Sequence, residues 1–311
     1  MKAVVCTKYG SPDFLELKEI EKPAPKKNEV LIKIRATSVT TSDALLRAMN
    51  STVVEKFILQ LIFGFGKPRN PILGMVLSGI VEEIGEKVSK FKSGDEVFAY
   101  GSMSSTKLRF GTYAEYICLP DDWNLALKPI NLNFEEAAAI PYGGLLASHL
   151  IKKANIKIGQ NVLIYGASGS IGTMAVQLAK NKAAIVTSVC SSKNLEFIKS
   201  LGSDKVIDYT RDNSISLLET YDLVIDTAGK DKSSSLKEKS KKSLSSEGKY
   251  ISIDDGIPST PKETFMELRE LAEQGRIKPV IDRVYTLEQI AEAHRYVDKR
   301  HKRGNVIISI V

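Results

Sequence analysis

Residues 162–172 read Val162-Leu163-Ile164-Tyr165-Gly166-Ala167-Ser168-Gly169-Ser170-Ile171-Gly172, and a helical run follows over 173–182. Val162 to Tyr165 are apolar and bulky, as a buried strand requires. Glycines three apart then let the backbone turn sharply and approach a pyrophosphate. The helix start behind them offers unpaired N–H groups and partial positive charge to it. The alternative is a tight structural turn. Placement between a strand and a helix, at the head of a strand–helix series, favours the dinucleotide-binding loop. No G-x-x-x-x-G-K-[ST] occurs, which excludes a Walker-type phosphate loop.

Downstream, strand patterns at 184–189, 205–208, 223–226 and 249–253 alternate with a helix over 193–201 that ends at Gly202. Such alternation predicts a parallel, doubly wound sheet, hence an α/β fold. Upstream the period differs. Short strand patterns over 29–36, 77–85, 94–100 and 111–120, separated by Gly and Pro, predict a β-rich, barrel-like domain over 1–121. Asn133 with Glu136, Thr260 with Glu263 and Thr286 with Gln289 read as capping boxes opening helices. The stretch 276–311 ends on a strand pattern and rejoins the first domain, leaving 122–275 as the cofactor domain. The Lys- and Ser-rich stretch 230–247 reads as a solvated helix and loop.

The chain has 311 residues, of which 43% are apolar and 26% charged. That composition excludes fibrous and disordered classes. No apolar run reaches the 18 or so residues of a membrane span, and the N-terminus lacks a signal-peptide pattern. Three scattered cysteines fit a reducing, cytoplasmic setting and argue against a disulfide framework. The net charge of +7 reads as solubility plus a phosphate pocket, because no basic stripe or nucleic-acid module is present.

The second strand of the predicted sheet selects the cofactor. An NAD-selective fold places an acid about 20 residues after the glycine loop, on the ribose 2′-hydroxyl. Here the chain reads Val189-Cys190-Ser191-Ser192-Lys193, with no acid before Glu196. Two hydroxyls and an ammonium suit a 2′-phosphate, so NADP(H) is expected. Ser191 also reads as a helix cap. Cys190 carries two readings: a low-pKa thiol shielded by the cofactor, or a small apolar residue filling the strand end.

Taken together, Glu29-Val30-Leu31-Ile32-Lys33, Gly94-Asp95-Glu96-Val97-Phe98, Gly111-Thr112-Tyr113-Ala114-Glu115-Tyr116, Glu136-Ala137-Ala138-Ala139-Ile140-Pro141 and the loop Gly166 to Gly172 resemble the zinc-independent medium-chain dehydrogenase/reductases of the quinone oxidoreductase-like branch. The resemblance covers nearly the whole chain. It implies a GroES-like catalytic domain (1–121 and 276–311) and a Rossmann NADP(H)-binding domain (122–275). Short-chain dehydrogenases are disfavoured, since their loop lies near the N-terminus and their Tyr-x-x-x-Lys pair is missing here. The positions resembling the zinc branch's Gly-His-Glu and first Cys are Gly74-Met75-Val76 and the region of Thr41. The three histidines, His149, His294 and His301, are expected on helix surfaces. No metal is therefore expected.

The resemblance further implies Ser191, Lys193 and Tyr209 at the adenine side, Ile251 at the nicotinamide, and Asn305 approaching the cofactor. It puts Thr40, Thr41 and Asp43 on the floor of the active cleft. Asp43 reads equally as a cap for a helix over 44–49. Val76 and Leu146 replace polar residues of relatives. Only 254–259 lie between the last cofactor strand and the next helix, where longer relatives insert a dimer-pairing strand, so a homodimer is only a possibility. The implied activity is NADPH-dependent hydride transfer to a quinone or α,β-unsaturated carbonyl. The alternatives are zinc-free aldehyde or ketone reduction and a catalytically idle NADPH-binding protein. The partner is a small molecule, with no nucleic acid or membrane. Over 53–65, Val54, Phe57, Ile58, Leu61, Ile62 and Phe65 fall at helical spacing. They read either as core packing or as an apolar lid.

Overall fold

The computed structural model describes residues 1–50, 53–103, 107–230, 234–256 and 258–311. The chain forms two compact units, Met1–Pro141 with Ile281–Val311, and Tyr142–Val280.

The first unit opens with an antiparallel ribbon of β1 (Lys2–Cys6) and β2 (Leu15–Glu19). Next come β3 (Glu29–Val39), α1 (Thr41–Ala48), α2 (Val53–Phe63), β4 (Val76–Ile84), β5 (Glu96–Tyr100), β6 (Tyr116–Pro120), β7 (Leu125–Leu127) and α3 (Phe134–Ala138). After the second unit, β13 (Ile281–Thr286), α9 (Ile290–Asp298) and β14 (Asn305–Ser309) complete it. A seven-stranded sheet runs β13-β14-β3-β4-β5-β7, with β6 on β3. β3 is flanked by β4, β6 and β14, all antiparallel. This central place explains its nearly continuous burial, with Ile32 and Ile34 in one core with Val97, Leu119, Val306 and Ile308.

The second unit contains α4 (Pro141–Ala154, which begins at the boundary), β8 (Asn161–Tyr165), α5 (Ser170–Asn181), β9 (Ile185–Cys190), α6 (Leu195–Ser200), β10 (Lys205–Asp208), β11 (Tyr221–Asp226), α7 (Ser235–Lys242), β12 (Leu244–Ser252) and α8 (Lys262–Glu273). Its sheet is ordered β10-β9-β8-β11-β12, and every pairing is parallel. That is the doubly wound order expected from the alternation of strands and helices. The order reverses between β8 and β11, so a crevice opens at their carboxyl ends.

Several expectations need correction. Residues 122–141 were assigned to the cofactor domain but belong to the first unit. There β7 pairs with β5, and Ser78 and Ser309 hold α3 by bonding the Phe134 carbonyl (2.5 Å) and Glu135 Oε1 (2.8 Å). The first unit resumes at Ile281 rather than 276. The Asn133–Glu136 and Thr286–Gln289 capping boxes form, whereas α8 starts one residue later than the box read at Thr260 requires. Pro261 caps α8 without a side-chain bond. The helix read over 193–201 is split into a 3-10 turn at Ser192–Asn194 and the shorter α6.

The core reading of 53–65 also fails. In α2 no residue is buried, and Val53, Val54, Phe57, Ile58, Leu61, Ile62 and Phe65 are 48–87% exposed. Helical spacing reported the helix correctly, but not what faces it. The stretch 230–247 is not uniformly solvated either, because Lys237 is buried; residues 231–233 lie outside the described residues. No described helix is long and apolar enough to cross a membrane.

Candidate functional site

In the second unit the glycine loop closes the end of β8. Gly166 adopts φ +81°, a conformation natural to glycine. A Cβ there would come within 2.9 Å of Ala228 Cβ. At Gly172 a Cβ would lie 2.2 Å from the Gly166 carbonyl, so α5 can rest on the loop only with glycine. Gly169 differs, since its Cβ would meet nothing nearer than 3.6 Å. It is also the N-cap of α5 and brings no side-chain cap. The first turn of a twelve-residue helix, with Ser170, Ile171 and Gly172, thus opens beside free space at Gly169, flanked by the half-buried Ser168. An anionic pyrophosphate fits this arrangement.

Beside it lie the ends of β9 and β10, where Asp208 pairs with Cys190. Ser191 is half-buried, Lys193 is exposed and Tyr209 is 43% exposed. Ser191 sits before the 3-10 turn without capping it, and its Oγ accepts from Asn194 Nδ2 at 3.2 Å. Ser192 is committed elsewhere, donating to Asp208 Oδ2 at 2.5 Å. Asp208 also accepts from Thr210 (2.7 Å) and Arg211 Nε (3.2 Å). Although burial alone would raise the Asp208 pKa, these bonds bring it below the usual value. Arg211, mostly exposed at this corner, is a cation that sequence reasoning missed. Its signal was position, directly after a strand whose end adjoins Ser191.

The low-pKa reading of Cys190 is corrected. Its thiol is buried and pushed up to about 12 by desolvation first and Asp208 second. The other reading, a small apolar residue filling the strand end, is the one that holds. Ile251 is buried in β12 opposite Ile225. Asn305 is buried in the first unit, where its Nδ2 donates to the Ala139 carbonyl at 2.9 Å.

The first unit holds a second polar centre. Thr40 caps α1, and Asp43 closes the box by accepting from the Thr40 N–H (2.9 Å) and hydroxyl (2.7 Å). The helix starts at Thr41, which is exposed. Asp43 is 1% exposed, and desolvation pushes its carboxyl up to about 6 against the bonds from Thr40 that favour the anion. Asp43 Oδ1 and the Tyr113 hydroxyl are both buried without a conventional hydrogen bond. Below them Arg47 donates through Nε to His294 Nδ1 (3.3 Å) and through Nη2 to both oxygens of Asp298 (2.7 Å). The imidazole packs edge-on against Tyr113 at 5.6 Å.

His294 is therefore not a surface residue. It is fully buried, and desolvation, then Arg47, lowers its pKa to about 3. His149 is half-buried on α4 and accepts from the Ser259 N–H at 3.3 Å. His301 is exposed but lies beyond α9. Among the described residues no group of three His, Cys, Asp or Glu is arranged to hold a metal ion. Val76 and Leu146 are buried. An apolar hollow of about 440 Å³ is lined by Leu46, Ile62, Phe63, Leu73, Leu108 and Phe110, so the inner edge of α2 is one of its walls.

A parallel doubly wound sheet with an uncapped helix at its glycine loop, joined to a β-rich unit, defines a dinucleotide-dependent oxidoreductase architecture. Residues 26–129 match the alcohol dehydrogenase GroES-like domain, and residues 201–308 match the zinc-binding dehydrogenase family. The 2-methylene-furan-3-one reductase of Solanum lycopersicum is 31% identical over 99% of this chain and 79% of its own length. An NADPH-dependent alkenal/one oxidoreductase of Arabidopsis thaliana, chloroplastic, is 29% identical with the same coverage. Among solved structures, an NAD-dependent alcohol dehydrogenase superposes with TM-score 0.85 at 27% identity, covering both chains entirely. A quinone oxidoreductase from Coxiella burnetii gives 0.81 at 26%, covering 100% of this chain and 99% of its own. The chain belongs to the medium-chain dehydrogenase/reductase superfamily.

Proposed function

We propose that this protein is a zinc-independent, NADPH-dependent oxidoreductase that reduces a quinone or an α,β-unsaturated carbonyl. The observation that carries the reading is the uncapped start of α5 at Gly169, open to an anion, beside a strand end bearing Ser191, Lys193 and Tyr209. NADPH, when bound, supplies a hydride from its nicotinamide. The helix start would hold the pyrophosphate, and Ser191 with Lys193 the 2′-phosphate. The relatives' names support NADPH and an enone acceptor. A cytoplasmic, reducing location belongs to the same proposal and rests on three unpaired cysteines.

The 2′-phosphate assignment has a direct consequence. Lys193→Ala is expected to weaken NADPH binding about 5- to 30-fold, or roughly 1–2 kcal/mol, and to leave NADH unchanged. Fluorescence titration with both cofactors checks it, and equal losses would refute the assignment.

For the acceptor, the hollow lined by Leu46, Phe63 and Phe110 suits a flat apolar ring, and α2 would then serve as its lid. Ile62→Ala, on the wall that α2 gives the hollow, is expected to raise KM for bulky quinones about 5- to 10-fold, in line with loss of part of an aliphatic burial. Small enones should be unaffected, and Tm should stay put because Ile62 supports no core. Equal KM values across acceptor sizes would remove the lid.

The solved NAD-dependent alcohol dehydrogenase favours the competing aldehyde or ketone reduction. That reaction protonates an alkoxide and needs a positioned acid. Asp43, the acid with the most suitable pKa, is enclosed by Thr40 and Tyr113 and presents no oxygen to solvent. A quinone can take its protons from water. NADPH oxidation measured against quinones, enones and aldehydes, with and without chelator, separates the readings. Turnover of aldehydes alone, loss of activity with chelator, or no turnover at all would each defeat the proposal.

A further inference from the structure

The carboxyl end of the second unit's sheet holds a buried ion pair that hydride transfer does not use. Asp226 ends β11 and is 1% exposed, and its Oδ2 lies 2.5 Å from Lys237 Nζ, itself buried on α7. The Tyr250 hydroxyl donates to the same oxygen at 2.7 Å. Oδ1 accepts from the N–H groups of Ala228 (3.0 Å) and Gly229 (3.3 Å). Lys237 reaches past the carboxylate to donate to the Gly229 carbonyl at 2.7 Å. Together they clamp the turn 227–229 from both of its polar ends. Thr227 on that turn donates its hydroxyl to the carbonyls of Tyr165 (2.8 Å) and Gly166 (3.1 Å). Ala228 stands where a Cβ on Gly166 would collide. The turn is therefore the wall against which the glycine loop is shaped.

A helix bearing four lysines would normally leave them all in water. Lys237 is turned inward because Ser234 Oγ caps α7, accepting from the Lys237 N–H (3.1 Å), and is itself held in a hydrogen bond with the Tyr165 hydroxyl (2.7 Å). The ammonium also sits 5.7 Å from the centre of the Tyr165 ring, an attractive placement for a cation. An uncompensated carboxylate enclosed at this end of the sheet would be costly. It would also repel any phosphate bound at the neighbouring helix start.

We propose that Lys237 is a positioning residue for the cofactor. It fixes the turn 227–229 against the glycine loop and neutralises Asp226 at the sheet end that receives the pyrophosphate. This inference rests on the dinucleotide reading of that loop. The test uses the full-length protein with NADPH as the probe, comparing Lys237→Met, Lys237→Arg and the double variant Lys237→Met/Asp226→Asn. Lys237→Met is expected to raise the NADPH Kd about 10-fold, with kcat at saturating NADPH within about twofold of the parent. Lys237→Arg should stay near the parent value. The double variant should recover to within about threefold, because an amide still accepts from the turn and carries no charge. A merely structural lysine would give no such recovery.

Parental Kd in Lys237→Met, or a double variant as weak as the single one, overturns the proposal. Should Lys237→Met fail to fold, the folded double variant decides alone, and a Kd about 10-fold above the parent overturns it. Failure of the parent to bind NADPH would overturn the cofactor reading and this inference together. Parental binding with an unaffected Lys237→Met would overturn this inference alone.

Discussion

Gly172→Ala is expected to weaken NADPH binding by more than about 100-fold, about 2.7 kcal/mol, and to lower Tm at the same time. The added Cβ would lie 2.2 Å from the Gly166 carbonyl and 2.7 Å from Ala167 Cα. Both are backbone atoms that no rotamer change can move. Either α5 lifts from β8 or the loop deforms, and overpacking of this sort costs roughly 1–3 kcal/mol of stability. The N–H groups of the first helical turn then no longer converge on one point. Gly169→Ala is the control. Its Cβ would meet nothing within 3.6 Å, and its φ of −77° suits any residue. That variant should keep its Tm and still lose about 10-fold in NADPH affinity, since the Cβ would stand where the pyrophosphate approaches. Thermal unfolding and fluorescence titration read the two effects apart. An unchanged Kd in both variants would remove the phosphate from this loop.

The contrast between these glycines shows what a sequence can and cannot reveal. The spacing Gly166, Gly169, Gly172 was legible because it follows from local backbone demands, and so was the parallel sheet, because alternation of strand and helix leaves few topologies. Capping boxes at Asn133 and Thr286 were legible for the same reason: their partners lie three residues away. Partnerships across long separations were not. Nothing near Arg47 announces His294, 247 positions on. Lys237 lies among lysines that are solvated, and only the fold shows that Asp226 awaits it. For Cys190 the sequence left two readings open, because desolvation and Asp208, which decide for the buried one, are not visible in it. In α2 the error ran the other way. Apolar periodicity specifies a face, and tertiary structure decides whether anything covers it.

Arg47→Met is expected to lower the Tm by roughly 4–20 °C. Arg47 is 2% exposed but Asp298 is 38% exposed, so the cost comes from buried acceptors left unpaired, about 2–5 kcal/mol in all, at roughly 2–4 °C per kcal/mol for a unit of this size. Methionine fills the volume but leaves the Gly10 carbonyl, His294 Nδ1 and the Asp298 carboxylate without their donor. The pH dependence separates packing from charge. His294 is held near pKa 3, far below its usual 6.5, so its neutral form is the folded one. That contribution is complete above pH 6.5 and is lost as pH falls toward 3. Asp43, raised to about 6, works in the opposite sense: its contribution is present below its usual 3.8 and is lost as pH rises through 6. The two oppose each other between about pH 4 and 6, which blunts the net acid response of the parent protein. Because desolvation, rather than Arg47, is the larger cause of the His294 shift, the variant should remain acid-sensitive while being less stable at every pH. Unfolding followed at pH 7, 5.5 and 4.5 reads this directly. A variant whose stability no longer falls below pH 6.5 would show that the guanidinium, and not burial, keeps the imidazole neutral.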